Sequence, residues 1–305
     1  MPFLSVHFKE KTTPDGEQVH FAVSRNGLDW EQVNGGRPVL TAEKGEKGCR
    51  DIEIVRLASG GFVILTTDLA IARRAEKGPI DWKYINSHGS KMLRMWRSED
   101  LVHFSDEELL YFGRDDLGCL WAPEVFYDGE AGEYLIHWGS TAASDGFSHM
   151  RIYACRTRDF RSFTKPEVFF EKDTEILDSH LVKHDQKYYL FYKDSRRSKN
   201  MLSTCPKLYG EYVNDPVFEA FTSSMPSPGA YEGPTTFVLP DGRWCLMLDF
   251  FGCEKEKMGY VPFVSARPGD VRFARSEEFS FPYGFKHGKV IEISEEEYVG
   301  LQNRD

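Results

Sequence analysis

The sequence predicts an all-β fold, a five-bladed β-propeller with a central channel carrying the active site, on three observations. Apolar residues alternate over short runs punctuated by Gly, Asp and Asn, the pattern of strands and hairpins. Long stretches of 3.6-residue period are missing. One hairpin unit then recurs four times along the 305 residues. Its interval of roughly 50 to 70 residues is that of a propeller blade and gives about five blades. The same strands also suit a two-domain sandwich.

The hairpin copies occupy residues 52–68, 125–138, 180–194 and 235–249, each reading strand, polar turn, strand. Their turns carry Gly60-Gly61, Asp128-Gly129, Asp185-Gln186 and Asp241-Gly242, residues suited to tight reversals. A shorter element, a strand end followed by a polar turn and an aromatic, recurs at residues 24–30, 97–104 and 156–163. A worn version lies at 203–210 and a fifth falls within 265–281. The strand at His20–Ser24 has no hairpin partner before it, so it is expected to pair with C-terminal strands and close the ring. Closure would hide two sheet edges. Residues 73–89 and 222–229 read as surface loops. One helix signal stands out, at Ser294, with Glu297 completing a capping box.

Composition narrows the partners. Hydrophobic residues make up 41% and aromatics 14%, enough for a sizeable core in one domain spanning residues 1–305. A net charge of -10 argues against a nucleic-acid groove or an anionic membrane surface. Neutral soluble partners fit better. No run approaches the roughly 18 apolar residues of a membrane span, and the N-terminus lacks a signal-peptide pattern, so a cytoplasmic location is expected. The six cysteines are scattered without metal-ligand spacing and read as free, buried thiols. Nothing in the pattern speaks to oligomeric state.

In a propeller the innermost strand of each blade lines the channel, so residues at its start converge from distant parts of the chain. Asp51, Glu124, Asp178 and Glu232 each stand at the start of such a strand. Clustered acids repel, which raises the proton affinity of at least one. Glycoside hydrolysis needs that split: one acid protonated to assist the leaving group, another ionised to activate water or attack. Glu232 precedes Gly233-Pro234, a backbone break that aims its side chain, and is read as the proton donor. A calcium site would draw on similar oxygen ligands.

The ordered set Ser24-Arg-Asn-Gly-Leu-Asp-Trp30, Arg50-Asp51, Trp121-Ala-Pro-Glu124, Leu177-Asp178, Tyr231-Glu232-Gly233-Pro234, Lys286-His287-Gly288 and Ile293-Ser-Glu-Glu-Glu-Tyr298 resembles glycoside hydrolase family 43. These are five-bladed propeller hydrolases active on arabinose- and xylose-containing glycans. The resemblance implies inversion, with Asp51 as general base, Asp178 tuning and positioning the donor, and Glu232 as general acid. Where the family has Asp-Pro, this chain has Asp51-Ile52, and Glu53 is an alternative base. Trp121 is expected to stack on a sugar, Glu124 to bind its hydroxyls, and Arg50 and His180 to support the site. His287 matches a position on the channel axis that in some members approaches calcium or sodium through water. No cofactor is required. The expectation is an exo-acting α-L-arabinofuranosidase on arabinose-containing oligosaccharides. A β-xylosidase, a β-galactosidase or a catalytically silent glycan-binding propeller is the alternative.

Overall fold

In a computed structural model describing residues 1–10, 13–225, 230–252, 254 and 258–304, the alternating runs form five four-stranded antiparallel sheets. The chain enters through β1 (Phe3–Phe8), β2 (His20–Ser24) and β3 (Glu31–Gln32). The first complete blade is β4 (Cys49–Arg56), β5 (Phe62–Asp68), β6 (Met92–Ser98) and β7 (Glu108–Tyr111), with α1 (Ile71–Ala75) and α2 (Trp82–His88) inserted after β5. The second is β8 (Trp121–Asp128), β9 (Glu133–Ser140), β10 (Arg151–Thr157) and β11 (Glu167–Phe170). The third is β12 (Ile176–His184), β13 (Lys187–Asp194), β14 (Lys199–Cys205) and β15 (Val213–Asn214), followed by α3 (Pro216–Ser223). The fourth is β16 (Ala230–Val238), β17 (Trp244–Phe251), β18 (Gly259–Ser265) and β19 (Ala274–Arg275). Finally β20 (Lys286–Glu292) joins the entering strands, and α4 (Glu295–Gln302) follows. The fold is a five-bladed β-propeller.

Closure occurs, but through a different strand from the one expected. The last sheet runs β20-β1-β2-β3, so β1 pairs with the C-terminal strand and is also the hairpin partner of β2. All six residues of β1 are buried. The two strands of that hairpin are separated by residues 9–19, too many for the short turn that marks a hairpin in a sequence.

Blades pack through aromatic contacts, a form of pairing that adds to area burial. Phe112 stacks on Trp138 at 5.0 Å between the first and second blades, and Phe126 meets Tyr188 at 5.8 Å between the second and third. Phe191 meets Trp244 at 5.7 Å between the third and fourth, and Phe3 meets Phe237 at 5.5 Å where the ring closes. Cys49, Cys119, Cys155, Cys205 and Cys245 are free and buried, as expected; Cys253 lies outside the described residues.

Two expected loops contain helix. Residues 73–89 hold most of α1 and all of α2, the latter capped by Asp81, whose side chain accepts from the Tyr84 N–H. Elements this short never complete a convincing 3.6-residue period. Residues 222–223 end α3, which starts with Asp215 as N-cap and Pro216 in the first turn, a start signal present in the sequence. Residues 226–229 of that segment lie outside the described residues. The capping box at Ser294 and Glu297 forms as read. Among the described residues no helix is long and apolar enough to cross a membrane.

The segment leading into β4 is held by Arg94, which is 0% exposed. Its guanidinium reaches Asp68 at 2.7 Å, contacts Glu107, and donates to the carbonyls of Lys44 and Gly48, each at 2.7 Å. Glu107 in turn accepts from the backbone N–H of Glu43 and Lys44 at 2.9 and 3.0 Å. Arg94→Met would leave Asp68 and Glu107 as buried carboxylates without their cation. It is expected to cost about 3–5 kcal/mol in urea unfolding; a change near zero would show that the network is dispensable.

Candidate active site

The same defect sits at the channel end of four inner strands. Strand register skips between Arg50 and Glu53, Trp121 and Glu124, Leu177 and His180, and Glu232 and Thr235. Within each skip one residue takes a left-handed conformation: Asp51 (φ 52°), Ala122 (φ 51°), Asp178 (φ 53°) and Gly233 (φ 52°). Such a bulge re-aims the neighbouring side chains, and a non-glycine residue there carries roughly 1–3 kcal/mol of strain. In two blades the strained residue is an aspartate. In the fourth it is Gly233, and the acid is its predecessor, Glu232. Glycine is required there, since a Cβ would lie 2.5 Å from the His287 ring.

Glu124 therefore does not hold the place of Asp51 and Asp178, contrary to expectation. Ala122 does, and Glu124 falls beyond the bulge, equivalent to Glu53 and His180. The skip is invisible to a count of residues from the strand start.

Arg50, Asp51, Trp121, Asp178 and Glu232 line one cavity of about 460 Å³. His287 stands behind it, with Nδ1 3.2 Å from Asp51 Oδ1. Glu124 and His180 do not line it. They bond to each other in the layer beneath, with His180 Nδ1 2.7 and 2.9 Å from the two carboxylate oxygens. Glu53, the alternative base, is buried in that lower layer, where desolvation pushes its carboxyl up to about 8 against the pull of Lys289.

Sequence reasoning missed Lys193, Lys286, Asp249 and Thr67. Lys193 Nζ lies 2.5 Å from Glu232 Oε2, and Lys286 Nζ lies 2.7 Å from Asp249 Oδ1. Thr67 donates to Asp51 Oδ2 at 2.8 Å while accepting from the Ala122 N–H at 2.8 Å, tying two blades together. Three of these share one register position, opposite the residue that opens the bulge: Thr67 faces Arg50, Lys193 faces Leu177 and Asp249 faces Glu232. Aligning the second strands of the hairpin copies would have exposed them.

These neighbours divide the acids. Burial would raise Asp51, but the His287 hydrogen bond and charge, with Arg50, outweigh it and hold the carboxyl below its ordinary range. Burial pushes Asp178 up to about 6, with His287 opposing and Glu232 adding to the rise; its Oδ2 accepts from the Gly233 N–H at 3.3 Å. Asp249 is likewise pushed by burial to about 6, against the pull of Lys286. Burial would raise Glu232 too, yet Lys193 and Lys286 keep it below its ordinary range. His287 rises to about 9: its burial works the other way and is overcome by Asp51, Asp178 and Asp249. The resting site thus has an ionised Asp51 and Glu232, with high proton affinity at Asp178 and Asp249.

Residues 1–299 match the family described as "Probable glycosyl hydrolase domain", the group related to glycoside hydrolase family 43. The chain belongs to this family. Over 239 residues this member of the family is 23% identical to an alpha-L-arabinofuranosidase of Bifidobacterium longum subsp. longum, covering 68% of the chain but 22% of that relative. The chain thus spans about a fifth of the length of the curated relative it matches. Among solved structures, the GH43 BlXynB protein from Bacillus licheniformis aligns with a TM-score of 0.56 at 16% identity, over 90% of this chain and 52% of that one. An alpha-L-arabinofuranosidase from Lactobacillus brevis aligns with a TM-score of 0.54 at 15% identity, over 84% and 80%. At such identities the structures speak to the fold: the propeller is theirs.

The His287–Asp51 pair makes stability depend on pH. A histidine raised in the folded state stabilises fully below its unfolded value of 6.5 and loses that contribution as pH climbs through about 9. Wild type is expected to lose urea resistance across that window, and His287→Gln to lack the loss. An equal decline in both proteins would contradict the assignment.

Proposed function

We propose that this glycosyl hydrolase is an inverting, exo-acting α-L-arabinofuranosidase on arabinose-containing oligosaccharides. One observation carries the chemistry: Asp51, Asp178 and Glu232, from three blades, face one cavity in which their surroundings separate their proton affinities. The likeness to two proteins named arabinofuranosidases supports the sugar. Asp51, ionised and fixed by Thr67 and His287, takes a proton from water on one face of the sugar. Glu232 protonates the departing oxygen on the other. Asp178 raises the proton affinity of Glu232 by its charge and positions it through the Gly233 N–H, and the ammonium of Lys193 must leave Glu232 before that carboxyl can carry a proton to the leaving group. An incoming sugar hydroxyl offers Lys193 another partner. Trp121 meets Trp82 of α2 edge-on at 6.1 Å, forming an aromatic wall suited to a sugar face.

The acids define the reaction more than the sugar, so a β-xylosidase or β-galactosidase is the neighbouring alternative. The Lys193–Glu232 ion pair favours a second reading, a glycan-binding propeller without turnover.

Hydrolysis of aryl α-L-arabinofuranoside, β-D-xyloside and β-D-galactoside, with the anomer of the product followed by NMR, tests these readings. Glu232→Gln and Asp51→Asn are each expected to lose about 10²- to 10⁴-fold in kcat/KM, with inversion at the anomeric carbon. Silence on these substrates and on arabino- and xylo-oligosaccharides would favour the binding reading. Lys193→Met removes a cation that favours ionised Glu232, so the alkaline limb of the pH–kcat/KM profile should move to higher pH. A limb that stays in place would mean that Lys193 does not govern the acid.

A further inference from the structure

Directly beneath the cavity, the channel is filled by one side chain from each inner strand. Lys289 comes from β20, Glu53 from β4, Glu124 from β8, His180 from β12 and Thr236 from β16. Lys289 Nζ lies 3.3 Å from Glu53 Oε2, 3.3 Å from Glu124 Oε2 and 3.4 Å from His180 Nδ1. The side chains of Glu53 and Glu124 are 3% and 5% exposed, and that of Lys289 13%.

The hydrogen bonds also settle the state of His180. The Thr236 N–H donates to His180 Nε2 at 3.1 Å, so Nε2 is an acceptor and the proton sits on Nδ1. From there it is donated to Glu124 at 2.7 Å. The imidazole is therefore neutral, consistent with the downward push of burial on its pKa, and its approach to Lys289 is a contact between two donors. The positive charge of this layer belongs to Lys289.

In some members of the family the resemblance places a calcium or sodium ion in this channel, and the residues present here do not fit one. Such ions need several converging oxygen ligands. Here the carboxyl oxygens of Glu53 and Glu124 converge on an ammonium, His287 is engaged with Asp51, and among the described residues no cluster of His, Cys, Asp or Glu is placed to hold a metal. We infer that Lys289 is the channel's resident cation, a covalently attached replacement for a metal ion that joins the closing strand to the first and second blades. The assignment is independent of which sugar is cleaved.

Thermal unfolding in a buffer free of sodium and calcium, with EDTA, CaCl₂ or NaCl added and choline chloride as the ionic-strength control, tests it. The wild-type midpoint should ignore the chelator and both metals beyond the choline effect. Lys289→Ala leaves Glu53 and Glu124 without their cation, so its midpoint should fall on the order of 10 °C. Calcium or sodium, now able to enter, should restore at least half of that fall, and Glu53→Gln added to Lys289→Ala should abolish the recovery. A wild-type midpoint that drops with EDTA or rises specifically with calcium overturns the inference. So does a folded Lys289→Ala protein indifferent to both ions. Should that variant fail to fold in metal-free buffer, its expression with calcium decides: folding rescued by calcium supports the inference, and failure with calcium overturns it. Calorimetric titration of wild type with CaCl₂ gives a readout apart from unfolding, with no stoichiometric binding expected.

Discussion

The pairing of β1 with β20 is the contact on which the site depends. β20 carries Lys286, His287 and Lys289 within its first four residues. Lys286 and His287 set the charge around Asp249 and Asp51, and Lys289 sits among Glu53, Glu124 and His180. Without the register Leu4↔Ile291 and Val6↔Lys289, the acids of the other blades would face one another with much of their counter-charge missing. Ring closure is thus an electrostatic event as well as the burial of two edges.

Placement, rather than residue type, separates the carboxylates. Asp51 and Asp178 occupy the same strained bulge position on different blades, yet one is held below its ordinary range and the other is raised to about 6. Both are buried. The difference is the company: Asp51 has the His287 ring and Arg50, whereas Asp178 has Glu232 beside it and a single backbone N–H on Oδ2. A backbone strain repeated on several blades is tolerated where rigid neighbouring sheets over-determine it.

Much of this architecture was legible from residues alone because a short polar turn between two apolar runs advertises a hairpin. The copies around Gly60-Gly61, Asp185-Gln186 and Asp241-Gly242 are of that kind, and their first strands bring Asp51, Asp178 and Glu232 to one cavity. What escaped has physical reasons. β1 and β2 are separated by residues 9–19, so no short turn marks them as a hairpin. The bulges shift register by a residue, so Glu124 looked aligned with Asp51 when it belongs to the layer of Glu53. Lys193, Asp249 and Lys289 look like ordinary surface charges in a linear string, and only convergence in space gives them partners. The helices α1 and α2 are too short to display a period.

The distance along the chain between the closing strands has a consequence for biogenesis. Phe3 pairs with Glu292, so a nascent polypeptide must carry the β20-facing edge of β1 unpaired until Glu292 has been translated. At ribosomal speeds of roughly 5–20 residues per second, that interval is on the order of 15–60 seconds. Throughout it that edge is open to other strands. Chaperone capture of the leading segment, or its mispairing with a neighbouring nascent chain, is the hazard this topology builds into each round of synthesis.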